Sequence, residues 1–115
     1  MPKYTVKVHT SDIDDAGTDS DIFITLKGKL HTSQEMQLDN ADNNFERNQW
    51  DVFELEIEDL GKLESIRLRS DNSGSYPGWH CEKVIIQKTG GQEVTFPCNN
   101  WIKDNILDRT LTPVG

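Results

Sequence analysis

Apolar and polar residues alternate along most of this chain. In YTVKVH, Tyr4, Val6 and Val8 share one face, and in IFITLKG, Ile22, Ile24 and Leu26 do the same. WDVFELEIE sets Phe53, Leu55 and Ile57 against Glu54 and Glu56; LESIRLRS sets Ile66 and Leu68 against Arg67 and Arg69. CEKVIIQK and EVTFPC read as two further strands, and RTLTPV as a short last one. A period of two marks half-buried antiparallel strands. Turn-rich segments separate them at residues 10–21, 39–49, 70–78, 89–92 and 98–105. KTGGQE predicts a hairpin turn in which Gly90-Gly91 take positive φ. NWIKDNIL has room for one helical turn, and no segment sustains a helical period. Seven or eight short strands between such loops predict an all-β fold, an antiparallel β-sandwich.

Composition narrows this picture. The 115 residues make one domain of ordinary size, with 34% apolar and 28% charged residues. That suits a thin two-layer core better than a thick α/β protein. A net charge of −8 opposes unaided binding to nucleic acid or to an anionic membrane, although a bound cation would reverse this locally. No apolar run approaches the roughly 18 residues of a membrane span, and MPKYTVKVHT lacks the apolar stretch of a signal peptide. Cys81 and Cys98 are too few for a disulfide framework and read as free, mostly buried thiols in preference to one bridge.

Three of the loops are rich in oxygen: residues 12–21, DNADNNFE from Asp39 to Glu46, and SDNSGSYPG from Ser70 to Gly78. Carboxylates, Asn amides and backbone carbonyls are what a hard cation such as Ca²⁺ prefers. Neighbouring carboxylates repel one another unless a cation or a proton intervenes. The same residues also favour turns or stand as solvated charge, so composition leaves both readings open. An EF-hand is excluded. Asp12, Asp14 and Gly17 fit its first positions, but Ala16 and Phe23 stand where ligands belong, and the flanks are strand-like.

Catalytic signatures are absent: there is no G-x-S-x-G, H-E-x-x-H, Walker A or Rossmann pattern. His9, His31 and His80 are scattered and read as solvated surface residues. His80 and Cys81 are adjacent, so in a strand they point to opposite faces, which argues against a dyad. No enzyme activity is expected.

Several stretches together resemble the PLAT (LH2) family. YTVKVHTSD followed by AGTDSDIFITLKG is similar to that family's first two strands and their loop. NNFERNQWDVFELEIEDLGKLESIRLRSDNSGSYPGWHCEKVII is similar to its central signature, and EVTFPCNNWI to the lipoxygenase ending of the domain. The resemblance covers residues 3–113 as a single domain and leaves no length for a catalytic domain. It implies an eight-stranded sandwich of two four-stranded sheets, with Ca²⁺ bound by loops at one end.

Carried over by position, lipoxygenase-type ligands fall on Gly17, Asp19, Asn43, Asn44 and Glu46. The pattern of the related bacterial toxin points instead to Asp15, Gly17, Asp39, Asn40, Asp42 and Asn44. Asp15 to Asp19 are thus expected to form the first half of a shared calcium site, completed by Asp39–Glu46. Asp12, Asp14 and Asp21 are then outer charges or turn residues, and Arg47 is expected to pair with Asp51 or another carboxylate to hold the second loop.

The family's membrane-inserting aromatics are replaced here by Asp14 and Gly74. Trp101 does match a membrane-contacting tryptophan, with Tyr76 the second candidate for a membrane or partner contact. Trp79 is expected to pack inside, and Trp50 to be either exposed or packed at a strand edge. The implied function is calcium-dependent binding to membrane lipid or a membrane-associated protein, without nucleic acid. The alternative is a protein-interaction or structural module in which calcium only stabilises the loops. Both leave open a catalytic domain or other partner in a larger assembly. The expected location is cytoplasmic or at a membrane periphery.

Overall fold

The alternation becomes a two-layer core. The computed structural model describes residues 1–40, 43–75 and 77–114. Its strands are β1 (Lys3–Thr10), β2 (Ile22–Gly28), β3 (Met36–Gln37), β4 (Trp50–Glu56), β5 (Leu63–Ser70), β6 (Trp79–Lys88), β7 (Glu93–Ile102) and β8 (Asp108–Leu111). They form two four-stranded sheets, ordered β4-β1-β6-β7 and β3-β2-β5-β8, with every neighbouring pair antiparallel. No helix occurs among the described residues. This is the expected eight-stranded sandwich.

Tyr4, Val6, Val8, Phe53, Val84, Ile86 and Phe96 point inward from the first sheet, and Ile22, Ile24, Leu26, Ile66, Leu68 and Leu111 meet them from the second. A side-chain period of two delivers every second residue to this seam, and burying such side chains contributes about 1.5–3 kcal/mol each. Trp79 is fully buried, and its indole Nε1–H donates to Thr10 Oγ1 at 2.9 Å. Tyr4 is equally buried because its hydroxyl accepts the Leu60 N–H at 3.0 Å. The outer face of the second sheet carries a charged network. Arg69 Nε and Nη2 bond Glu35 at 2.9 and 2.8 Å, Arg67 pairs with Asp108, and the Arg69 guanidinium lies 4.3 Å from the Phe23 ring centre.

The structure departs from the pattern in four places. β3 is two residues long, too short to show a period. Residues 98–102 continue β7 where a loop was expected, because Cys98 and Asn99 form a β-bulge opposite Glu82, with Asn99 at φ 49°. The expected helical turn in NWIKDNIL is a tight reversal, in which Lys103 and Ile106 exchange N–H···O bonds of 2.9 Å across Asp104 at φ 55°. His9 and His80 are not solvated: His9 is buried against Glu82 at 2.8 Å, and half-buried His80 bonds Ser11 Oγ at 2.6 Å. The hairpin between β6 and β7 turns at Gly90, φ 82°, as its sequence indicates, but Gly91 does not share the positive φ expected of it.

Two outcomes test these contacts. Tyr4→Phe strands the buried Leu60 N–H and is expected to lower the unfolding free energy by about 1–3 kcal/mol in urea titrations; an unchanged midpoint would refute that role. Hydrogen bonding and charge from Arg69 hold the Glu35 carboxyl below its ordinary value. A lowered folded-state value contributes stability above the unfolded carboxylate range, lost as pH falls through the folded value. Urea midpoints of wild type and Glu35→Gln should therefore differ near about pH 7 and converge near about pH 3.

Candidate metal centre

Antiparallel order brings three loops to one end of the sandwich. The β1–β2 loop (11–21), the β3–β4 loop (38–49) and the β5–β6 loop (71–78) all leave it there. The first keeps the register of the strand it feeds. Ala16, Thr18 and Ser20 are buried, continuing Ile22 and Ile24, while Asp15, Asp19 and Asp21 are exposed between them. The buried hydroxyls tie this loop to the third: Thr18 Oγ1 donates to Pro77 O at 2.7 Å, and Ser20 Oγ to Ser73 O at 2.6 Å. The Thr18 N–H bonds Phe45 O at 2.9 Å, and the His80 N–H bonds Ala16 O at 3.0 Å.

The second loop is pinned by Phe45. This buried residue sits at φ 63° with its ring 5.8 Å from Phe53 and 5.2 Å from Trp79. A positive φ on an aromatic residue is uncommon and is held only where the surroundings over-determine it. Buried Asp51 supplies part of that hold, accepting the Phe45 N–H at 2.8 Å and Gln49 Nε2 at 2.7 Å. Gly17 meets the same stretch of backbone. A Cβ there would stand 3.0 Å from Phe45 O and 3.1 Å from the Arg47 nitrogen, so only glycine lets the loops approach this closely. Gly74 at φ 86° packs in the same way on Asp19.

Two clefts open around Asp19. The larger, about 390 Å³, is walled by Asp15, Gly17, Asp19, Glu46 and Arg47. The smaller, about 170 Å³, is walled by Asp19, Asp21, Asp39, Asn43 and Asn44, with Thr18 and Phe45 behind. The predicted residues divide between them, and Asp19 belongs to both. Asn40 is on neither wall; its amide donates to Val52 O at 3.0 Å. Asp42 and Tyr76 lie outside the described residues. Asn44 Oδ1 is buried without a hydrogen-bond partner, alone in this among the described residues. Buried polar atoms are nearly always satisfied, and an amide oxygen on a carboxylate-lined cleft is of the kind a hard cation takes as a ligand.

Charge around the clefts is partly committed. Arg47 spans the loops, with Nε 3.0 Å from Asp12 and Nη1 2.9 Å from Asp14. Of the expected partners, Arg47 takes other carboxylates and leaves Asp51, which faces inward to backbone and Gln49. Asn43 Nδ2 holds Glu46 Oε1 at 2.6 Å. Asp71 accepts the Asp21 N–H at 3.1 Å, and hydrogen bonds from Ser73 hold its carboxyl low. Asp21 is pushed up by loss of hydration and by the charges of Asp71 and Asp39. Among the described residues no three His, Cys, Asp or Glu side chains converge as a ready-made cage. The donors on offer are single carboxylates with amide and backbone oxygens, a set suited to a hard divalent ion.

The aromatic candidates lie close by. Trp101 is half-buried, edge-on to His80 at 5.0 Å with Lys103 Nζ 4.3 Å above its ring. Trp50 is 46% exposed, tilted on His9 at 4.6 Å.

The site thus sits on a two-layer antiparallel sandwich with oxygen-rich loops gathered at one end. The PLAT/LH2 domain profile matches residues 4–112, and the chain belongs to that family. It is 40% identical over 101 residues to mouse lipoxygenase homology domain-containing protein 1, covering 87% of this chain and 5% of that protein. It is 36% identical over 119 residues to human polycystin-1-like protein 3, covering 97% of this chain and 7% of that protein. Among solved structures it is similar to coral 8R-lipoxygenase, with a TM-score of 0.87 and 32% identity over 96% of this chain and 17% of that one. That enzyme is described as having calcium activation via a C2-like domain. The chain thus spans a small part of each relative's length.

Gly17→Ala is expected to drive the first two loops apart and cost about 1–3 kcal/mol of stability. Urea unfolding measures it, and a neutral substitution would mean the loops do not approach this closely.

Proposed function

We propose that this domain is a calcium-dependent binding module, without catalysis of its own, that attaches a larger protein to membrane lipid. The observation that carries the reading is Asn44 Oδ1, buried and unpartnered beside Asp19 and Asp39. Asp19, Asp39, Asn43 and Asn44 would hold one ion. Asp19, Glu46 and the Gly17 carbonyl would serve a second position, with Asp15 on the outer wall of the same cleft. Asn40 and Asp42 belong to the same loop and complete the ligand set we propose. Calcium activation through the C2-like domain of the coral lipoxygenase supports the same use of these loops.

Bound calcium would offset the carboxylates and turn this end toward anionic headgroups. Trp101 and Lys103, an aromatic ring beneath an ammonium, suit a water–lipid boundary. Tyr76 is the second contact we propose. We propose a peripheral attachment from the cytoplasmic side; no helix among the described residues is long and apolar enough to cross a membrane.

One observation favours the second reading, a protein-interaction module with calcium as a loop staple. Asp14 is engaged by Arg47, and Gly74 lies against Asp19, so neither position presents an apolar wedge. Trp50 and Val52, 46% and 48% exposed, instead offer an apolar patch on the outer face of the first sheet.

Calorimetric titration of the chelator-stripped domain tests the metal site, and vesicle sedimentation decides between the two readings. Saturable calcium binding is expected, weakened at least about tenfold by Asp19→Asn, which serves both clefts, and by Asn44→Ala/Glu46→Ala; a tenfold loss corresponds to about 1.4 kcal/mol. No heat at millimolar calcium would reject the metal site. Calcium binding with a raised Tm but no sedimentation with phosphatidylserine vesicles would reject the lipid role and leave the interaction module.

A further inference from the structure

The β6–β7 hairpin carries two thiols that the loops do not use. Trp79 pairs with Ile102, His80 with Trp101 and Cys81 with Asn100, but the next pair is Lys83 with Pro97. Glu82 therefore faces both Cys98 and Asn99, a bulge whose extra residue leaves Cys81 and Cys98 diagonal to one another. Both side chains lie on the inner face: Cys81 is fully buried in the core, and half-buried Cys98 packs against it. Cys81 Sγ lies 3.9 Å from Lys83 O and Cys98 Sγ 3.9 Å from Asn100 O, and both thiols are free.

Their burial assigns the roles: Cys98 is half-buried and within reach of solvent, and Cys81 is closed off in the core. The Cys81 thiol is pushed up by the neighbouring Cys98 thiol and by burial. Cys98 is lowered by the neighbouring Cys81 thiol, by backbone bonding at Asn100 and by the charge of Arg109. Arg109 is fixed beside it, its Nε donating to Trp101 O at 2.7 Å. A half-exposed thiol near a fixed cation is where thiolate reactivity is expected, and an adjacent buried thiol is placed to resolve its oxidised form.

We propose that Cys98 and Cys81 form a hydroperoxide-oxidisable dithiol, with Cys98 the attacking and Cys81 the resolving sulfur. The Cys98 thiolate attacks a peroxide oxygen and breaks the O–O bond. This gives Cys98 sulfenic acid and, after protonation of the leaving oxygen, an alcohol, or water from hydrogen peroxide. Cys81 then attacks the Cys98 sulfur; the S–S bond forms, the S–O bond breaks, and the hydroxide leaves as water with the Cys81 proton. Overall, two thiols lose two electrons and two protons, and one hydroperoxide is reduced to alcohol and water. The product ties β6 to β7 beside the bulge, three residues before Trp101.

The test treats the reduced chain with a small excess of hydrogen peroxide and reads the intact non-reduced mass and peptide map. The expected result is a monomer lighter by two hydrogens, with a Cys81–Cys98 cross-linked peptide, reversed by dithiothreitol. Cys81→Ser should stop at a Cys98 sulfenic acid trapped by dimedone. Cys98→Ser, at the half-exposed position and so tolerant of the change, should leave Cys81 unmodified in the folded protein; it carries the test should Cys81→Ser fail to fold. Disulfide-linked dimers, a Cys98 sulfinic acid beside an alkylatable Cys81, or two untouched thiols while added glutathione is consumed would each overturn the assignment.

Discussion

The ring of Phe45 is where the core reaches up into the loops. Packed between Phe53 and Trp79, it draws the second loop down onto the sandwich in a left-handed backbone turn that Asp51 holds from the side. Everything at this end is measured from that anchor. The Phe45 carbonyl receives the first loop through Thr18, Gly17 fits against the backbone that follows, and Asn44 is carried into the smaller cleft one residue before it. Ligand oxygens borne on loops are positioned only as well as the loops are, and here an aromatic cluster does the positioning.

The strands were legible because burial on one face forces a period of two, and residues such as Ile22, Ile24 and Leu26 could serve no other face. What escaped reading was structure built from the wrong-looking residues. Asn99-Asn100 has the composition of a turn, yet it continues β7 past a bulge at Cys98-Asn99, since Asn tolerates the left-handed conformation that Asn99 adopts there. The oxygen-rich loops were legible by residue type. Their inner order was written there as well, in the small residues Ala16, Thr18 and Ser20 set between the acids, a signal the count of aspartates concealed.

Pairings that depend on how loops approach were not legible. Arg47 had several carboxylates within sequence reach, and only the folded geometry selects Asp12 and Asp14. The burial of Asn44 Oδ1 is of the same kind, as are the contacts that take His9 and His80 out of solvent. Each is a meeting of segments far apart in the chain, about which local pattern is silent. Family resemblance pointed to these loop positions because it encodes those meetings indirectly.

The first loop has one further property. Its acids face outward and its small residues inward because the strand's two-residue frame extends back from Ile22 to Asp15. A single-residue insertion or deletion between Ala16 and Ser20 would reverse that frame, turning carboxylates onto the core and hydroxyls into solvent. Length changes in pairs would preserve it. This loop thus behaves as a coding strand with a reading frame of two: variation in its length is constrained by parity more than by size, and a search for relatives that keep this end of the fold should expect gaps there of even length.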